Sequence, residues 1–274
     1  MIGFPNAKIN LGLKVHEKRP DGFHNLESVF IPLKMVDILE VIKNDKLDDN
    51  KSTFYQSGIQ LDAMPEQNLV MKAYHLLKSD YDLPSVQIAL HKMIPSRSGL
   101  GGGSSDAASM VLMLDKLFNL DLSIEKKQNY LEILGSDCAF FLSNTVSLVR
   151  GRGEIFEPIQ LDMEGVNLVI IVPNVMISTA EAFRLIKPTS SQYMLLEKLK
   201  RPMYEWMSSI FNDFEKVLFP KYPILKEIKR KLYDLGAKYA SLSGSGSSIY
   251  GLFDSEINPK EHFPGLFTWT EKFE

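Results

Sequence analysis

The 274-residue sequence predicts an α+β fold. Three observations carry that expectation. Short runs alternate apolar and polar positions with strand periodicity, as in Val86, Ile88 and Leu90 against Gln87, Ala89 and His91. Longer runs keep helical spacing, as in Ala107, Met110, Val111, Leu114, Leu117 and Phe118. The two kinds succeed one another without strict alternation, which argues against a doubly wound parallel sheet.

The elements follow in order. Ile9, Leu11, Leu13 and Val15 alternate with Asn10, Gly12 and Lys14, so a strand opens the chain. Arg19-Pro20-Asp21-Gly22 is a turn. Extended runs cover 26–33 and 37–43, and the polar stretch 44–51 is expected to be a loop tip. Asn68 caps a helix reaching Lys78, with Leu69, Val70, Ala73, Leu76 and Leu77 on one face. A strand within 85–95 leads through a glycine-rich loop into the helix that carries Met110 and Leu114. The next helix, 124–134, stops at Gly135. Strands at 145–149 and 153–159 share the turn Arg150–Gly153, and a buried strand at 166–172 ends at Pro173. Helices are expected at 179–186, 203–218 and 223–235, the last closed by Gly236. Strands at 238–242 and 249–253 flank a Ser/Gly loop, and 267–273 forms a final strand. A domain boundary is expected near 151–158.

Composition narrows the function classes. Lys and Arg number 31 against 34 Asp and Glu, a net charge of −3, so no general polyanion-binding surface is implied. The single cysteine, Cys138, forbids an internal disulfide and suits a cytoplasmic setting. The first eight residues have no apolar core of the signal-peptide kind, and the longest apolar run, near Val169, is too short to span a bilayer.

The most informative stretch runs Pro95-Ser96-Arg97-Ser98-Gly99-Leu100-Gly101-Gly102-Gly103-Ser104-Ser105. Four glycines let the backbone turn and let a ligand approach closely. The helix that follows offers unpaired amides and a positive dipole end to an anion. Strand, glycine turn and helix together form a phosphate-site context. A Walker A loop would carry Lys before its Ser or Thr, and none stands there. A dinucleotide fingerprint counted from Gly99 meets Ser104 where it needs glycine. The histidine-arginine-aspartate and aspartate-phenylalanine-glycine motifs of protein kinases are absent.

Phosphoryl transfer needs a phosphate cradle, a cation, charge neutralisation and a carboxylate near the attacking hydroxyl. Lys8 and Asn10 share one strand face, which residue chemistry alone assigns either to solvent or to a polar cleft. Asp137, just past a helix end, is either a turn residue or a base. Ser243–Ser248 is either a plain hairpin turn or a cleft-lining loop. Phe23 and His24 are either an aromatic pair packing under a turn or tools for a pyrimidine, one a flat ring and the other a two-nitrogen donor–acceptor. Ser178 and Glu181 have capping-box spacing.

A family resemblance bears on these choices. Pro95-x-x-x-Gly-Leu-Gly-Gly-Gly-Ser-Ser-Asp-Ala-Ala108 resembles the ATP loop of the GHMP kinase superfamily. Pro5-x-Ala7-Lys8-Ile9-Asn10-Leu11 resembles its first motif, Gly135-Ser136-Asp137 its Gly-Ala-Asp motif, and 242–248 its third. Asp21-Gly22-Phe23-His24 resembles the Asp-Gly-Tyr-His segment of the branch acting on 4-diphosphocytidyl-2-C-methyl-D-erythritol. The segment 177–183 resembles that branch's substrate side, with Thr179 and Phe183 matching, and Asn68 and Lys92 resemble positions around the adenine. Two departures stand out. Phe23 replaces the usual Tyr, and Cys138-Ala139 replaces the usual Val-Pro.

The resemblance implies a two-domain architecture with a deep active-site cleft between domains, residues 1–152 binding ATP and 153–274 contributing to substrate binding. It implies ATP and Mg²⁺ as cofactors, the Mg²⁺ ligands remaining unassigned. Asp137 is implied as the base and Lys8 as its charge partner. The glycine loop, Asn68 and Lys92 would hold ATP, while Asn10, Phe23, His24, Thr179 and Phe183 would hold a small-molecule acceptor. Neither nucleic acid nor membrane is an expected partner. The alternatives are a GHMP kinase for mevalonate, homoserine or a sugar, and a silent nucleotide-binding sensor.

Overall fold

The computed structural model describes residues 1–43, 52–60, 64–188 and 193–274, so the expected loop tip at 44–51 lies outside the described residues. In chain order the elements are β1 (Ile2–Gly3), β2 (Asn6–Lys18), β3 (His24–Val36), β4 (Ile38–Lys43) and β5 (Thr53–Gly58), then α1 (Leu69–Tyr81) and β6 (Val86–Lys92). Next come α2 (Gly102–Phe118), α3 (Ile124–Leu134), α4 (Phe140–Ser143), β7 (Ser147–Arg150), β8 (Ile155–Pro158) and β9 (Asn167–Val172). The chain continues through α5 (Thr179–Leu185), α6 (Leu195–Leu199), α7 (Met203–Ser209), α8 (Glu215–Lys221), α9 (Pro223–Asp234), β10 (Tyr239–Leu242), β11 (Ile249–Phe253), α10 (Pro259–His262) and β12 (Phe267–Lys272). This is the mixed α+β content that the periodicities predict.

The chain forms two compact units. Unit 1 comprises 1–8, 32–96 and 101–145; unit 2 comprises 9–31, 97–100 and 146–274. Their segments alternate along the chain, and 146–152 belong with unit 2.

Unit 1 contains a sheet of order β1-β4-β6-β5, in which β5 runs parallel to β6 and the other pairs are antiparallel. Asn68 accepts the amide of Val70 at 2.9 Å and starts α1 as its side-chain chemistry requires. Val70, Ala73, Tyr74 and Leu77 of α1 are buried, as are Ala107, Met110, Val111 and Leu114 of α2, on which α1 packs. The unit also buries charge. Lys92 pairs with Asp37 and, at 2.6 Å, with Asp106, and all three are nearly inaccessible. Desolvation and the neighbouring Asp37 raise the Asp106 carboxyl from 3.8 to about 7, against the pull of Lys92.

Unit 2 contains the antiparallel sheet β10-β11-β9-β12, with α9 laid on it through Leu225, Ile228 and Leu232. This i, i+3, i+7 stripe is the helical spacing the sequence predicts. A third sheet has the order β2-β3-β7-β8, and its pairs β3–β7 and β7–β8 are antiparallel.

Two expectations are corrected. The helix expected over 203–218 is two helices, α7 and α8. Between them Phe211 O accepts Leu13 N at 3.0 Å and Asp213 N donates to Leu13 O at 2.8 Å, so the segment pairs with β2 instead of coiling. Asn212 completes the break: its amide nitrogen donates to Leu242 O at 2.9 Å and Gly244 O at 2.7 Å, and its oxygen accepts Phe214 N at 2.9 Å. The strand accommodates this segment at Gly12, where φ is +65° and a Cβ would lie 2.9 Å from Ile210 Cγ2. The capping box at α5 does not form. Ser178 makes no side-chain cap bond, and Glu181 instead pairs with Lys221 and accepts from the Tyr222 hydroxyl at 3.3 Å. The helix α2 starts at Gly102, behind Gly101 with φ +73°, so Ser104 and Ser105 lie in its first turn.

Two stability measurements test these contacts. Asn212→Ala strips the donor from two buried carbonyls and should cost roughly 1–3 kcal/mol, read as a lower urea midpoint with unchanged slope. Asp106 binds its proton more tightly folded than unfolded. Its contribution to stability is therefore full below about 3.8 and is lost as pH rises through about 7. Asp106→Asn removes that titration, so its denaturation midpoint should gain on the parent's as pH is raised from about 5 to about 8. A constant gap between the two would contradict this assignment.

Candidate active site

The uncapped start of α2 anchors the site. The helix's own bonds begin with Ser105 N donating to Gly101 O at 2.9 Å. The amides of Gly102, Gly103 and Ser104 therefore have no intrahelical acceptor, and no side chain caps them. Backbone donors and a positive dipole end, without a protein acceptor among the described residues, suit a phosphate chain.

Within unit 1 the glycine turn meets a charged pair. The Lys8 ammonium, 2% exposed, lies 3.3 Å from an Asp137 carboxylate oxygen whose side chain is 38% exposed. A buried cation against a half-open carboxylate leaves one face of the acid available to a ligand. The stem of Lys8 passes directly under Gly101. A Cβ there would sit 3.0 Å from Lys8 Cγ and 3.1 Å from both Lys8 Cε and Phe141 Cζ. Glycine is thus required at 101 twice over, for its positive φ and for the lysine beneath it.

Asp137 stands in a turn closed by Cys138 N donating to Gly135 O at 3.0 Å. Cys138 is buried, and burial pushes its thiol up to about 12, so it is an inert neutral group. Ser104 hydrogen-bonds this thiol, tying the Asp137 turn to the first turn of α2. Where the family pattern has Val-Pro, this chain gains a polar link. Asn68 caps α1, and the Lys92 ammonium faces Asp37 and Asp106, so any nucleotide contact of Lys92 falls to its other atoms. Pro95 and Ser96 close the unit 1 stretch that precedes the turn.

Residues Arg97, Ser98, Gly99 and Leu100 belong to unit 2, where the β10–β11 loop holds them. Ser248 donates to Ser98 O from its amide at 2.9 Å and its hydroxyl at 2.6 Å. Ser243 Oγ donates to Gly99 O at 2.9 Å and accepts Asn10 N at 3.2 Å. A Cβ on Gly99 would run into the Ser243 carbonyl. Residues 243–248 are therefore a hairpin turn, as local chemistry suggests, and also the brace of the glycine loop.

The expected acceptor residues also lie in unit 2. His24 Nδ1 is 3.1 Å from His16 O, so Nδ1 donates, and the tautomer of the neutral ring that fits this bond presents a lone pair at Nε2. Its ring stacks on Phe183 with centroids 5.8 Å apart. Phe23 is 53% exposed, with the Arg152 guanidinium 5.2 Å from its ring centroid. Thr179 Oγ1 is 3.0 Å from Ser245 Oγ. Asn10 Nδ2 donates to Ser28 Oγ at 3.1 Å, and Ser28 donates in turn to Gly12 O at 2.6 Å, which fixes the amide's orientation. Sequence reasoning missed Ser28, Asp37 and Asp106. Only the Ser-Ser-Asp run gave a signal, placing Asp106 beside the loop.

Among the described residues no group of three or more His, Cys, Asp or Glu could hold a metal ion, and no helix is long and apolar enough to cross a membrane.

Known proteins accord with this arrangement. Residues 68–145 match the GHMP kinases N terminal domain, and 195–261 match the GHMP kinases C terminal domain. The chain is 52% identical over 257 residues to a protein of Bacteroides fragilis named 4-diphosphocytidyl-2-C-methyl-D-erythritol kinase, covering 93% of both. A protein of Bacteroides thetaiotaomicron with the same name is 50% identical over 256 residues, again covering 93% of both. The crystal structure of a 4-(cytidine 5'-diphospho)-2C-methyl-D-erythritol kinase superposes with TM-score 0.75 at 30% identity, covering 92% of this chain and 90% of that one. Homoserine kinase from Cytophaga hutchinsonii, at 18% identity and TM-score 0.69, shares the fold over 97% of this chain and 94% of its own. Identity of this extent, together with the loop, the Lys8–Asp137 pair and the matching domains, shows that the chain belongs to the 4-diphosphocytidyl-2-C-methyl-D-erythritol kinase family of the GHMP kinases.

Proposed function

We infer that Lys8 and Asp137 are the catalytic pair of this chain, an ATP-dependent kinase that phosphorylates the 2-hydroxyl of 4-diphosphocytidyl-2-C-methyl-D-erythritol in the non-mevalonate route to isoprenoids. The observation that carries the assignment is the 3.3 Å contact of a buried ammonium with a half-exposed carboxylate beside the uncapped start of α2.

In this reading Asp137 accepts the proton of the 2-hydroxyl as its oxygen attacks the γ-phosphorus of ATP. The bond from that phosphorus to the bridging oxygen breaks, and ADP leaves. Lys8 holds Asp137 in place and offsets negative charge gathering on the transferred group. The amides of Gly102, Gly103 and Ser104 bind phosphate oxygens, with Gly99, Leu100 and Gly101 shaping the turn. Pro95, Ser96, Arg97 and Ser98 lead into that turn, while Asn68 and backbone atoms of Lys92 flank the base of the nucleotide.

A hydroxyl of Ser104 or Ser105 in the first turn of α2 would hold Mg²⁺ together with ATP, and the ion would supply neutralisation of phosphate charge. On the acceptor side, His24 Nε2 accepts from the exocyclic amine of cytosine, and Phe23 and Phe183 supply ring faces. Phe23 keeps the stacking surface of the family's Tyr without its hydroxyl. Asn10 and Thr179 bond the remainder of the acceptor. The inert, reduced Cys138 accords with work in the cytoplasm.

Two substitutions test the roles. Asp137→Asn should lower kcat by about 10²–10⁴-fold, with both KM values changed little and the melting transition retained. Turnover equal to the parent's would remove Asp137 as the base. His24→Ala should raise KM for the cytidylyl acceptor roughly ten-fold while leaving KM for ATP alone, as expected when one buried hydrogen bond and a stacking face are lost. A panel of mevalonate, homoserine and sugar acceptors, read by ADP release, should give no comparable turnover.

A further inference from the structure

Both ends of the glycine turn lead to one buried group of charges. Asp106 follows Gly101–Ser105 directly in α2, and its Oδ2 accepts Lys92 Nζ at 2.6 Å. Lys92 ends β6 and also pairs with Asp37. Through its other oxygen Asp37 accepts the amides of Met93 at 2.6 Å and Ile94 at 2.9 Å, the residues immediately before Pro95. Its own amide donates to Pro5 O at 2.8 Å, three residues ahead of Lys8. The Lys92 ammonium lies close beneath the first helical residue, since a Cβ on Gly102 would fall 3.4 Å from Nζ and 2.8 Å from Ile94 Cγ2. All of these residues lie in unit 1.

We propose that the side chains of Lys92, Asp37 and Asp106 form an internal staple that sets the position of the phosphate-binding first turn of α2, each side chain acting to position and none as a ligand. The proposal rests on the reading of Gly101–Ser105 as the ATP cradle. Lys92 can take this role because its ammonium is 3% exposed and turned toward the two carboxylates. The three groups are too costly to bury for packing alone: a charge with its partner removed is strongly disfavoured, so the cluster admits one arrangement. That arrangement joins the strand before the turn to the helix after it. Asp106 Oδ1 has no hydrogen-bond partner among the described residues, so the carboxyl is held through Oδ2 and the lysine is its tether. A glycine-rich turn has little side-chain packing of its own, and its amides bind phosphate well only if they are held before the ligand arrives.

The test compares Asp106→Ala, Asp106→Asn and Lys92→Met with the parent. KM is measured separately for Mg-ATP and for the acceptor, and amide hydrogen exchange is followed over 101–105 in the ligand-free protein. Asp106→Ala and Lys92→Met should raise KM for ATP about ten-fold or more with the acceptor KM within about two-fold, and exchange at 101–105 should quicken. Asp106→Asn, whose amide oxygen still accepts from Lys92, should restore both readouts to near the parent's. Parental exchange and ATP KM in a folded Asp106→Ala protein would overturn the staple. So would an Asp106→Asn protein as impaired as Asp106→Ala, or a rise of similar size in both KM values. If Lys92→Met does not fold, the Ala and Asn pair at 106 decides the matter. The exchange readout needs no ATP, so a parent protein that failed to use ATP would refute the cradle reading while the staple was still judged on its own.

Discussion

Three backbone amides at the start of α2 have no acceptor within the helix, and much of the surrounding structure serves that single deficit. A helix normally cures it with a Ser, Thr, Asp or Asn side chain at the N-cap. Here the N-cap is Gly101, which has no side chain to offer and a positive φ that turns the preceding backbone away. Leaving the amides open costs stability, and the compensation is found close by in unit 1. Lys8 lies beneath Gly101, Ile94 packs under Gly102, and Ser104 bonds the Cys138 thiol. The open donors are thereby kept in one arrangement.

The same economy governs charge. Lys8 and Lys92 are both buried cations, yet their partners differ in exposure. Asp137 keeps more than a third of its side chain open, whereas Asp37 and Asp106 are sealed. Desolvation, with Asp37 alongside, raises Asp106. A carboxylate meant to take a proton from a bound hydroxyl must be reachable, and a carboxylate meant to hold a lysine need not be. Exposure, more than residue type, separates the acid we propose as the base from the two that enclose Lys92.

Strand and helix periods were legible wherever an element buries one face. The alternation in β6 and the stripe in α9 are direct consequences of that burial, whereas 9–15 alternates in polarity although both of its faces are buried. The short elements α4, α6, α10, β1 and β5 were not legible, because two to six residues do not repeat a period. The break between α7 and α8 was hidden for another reason. Residues 203–218 have adequate helical spacing, and the competing partner of Phe211 and Asp213 is Leu13, some two hundred positions earlier. Likewise Ser178 and Glu181 have the spacing of a capping box, but the lysine that claims Glu181 comes from α8.

Local order along the chain was therefore enough for the α+β class and for the glycine turn that opens α2. Glycines, a following helix and a lone Lys or Asp act through backbone geometry and charge that neighbours in sequence already specify. The tertiary structure alone decided which carboxylate meets Lys8, which two enclose Lys92, which nitrogen of His24 donates to a backbone carbonyl, and which carbonyls Asn212 ties together. Each of these depends on groups far apart in sequence meeting within about 3 Å, where desolvation and hydrogen-bond direction take effect. No periodicity encodes such a meeting.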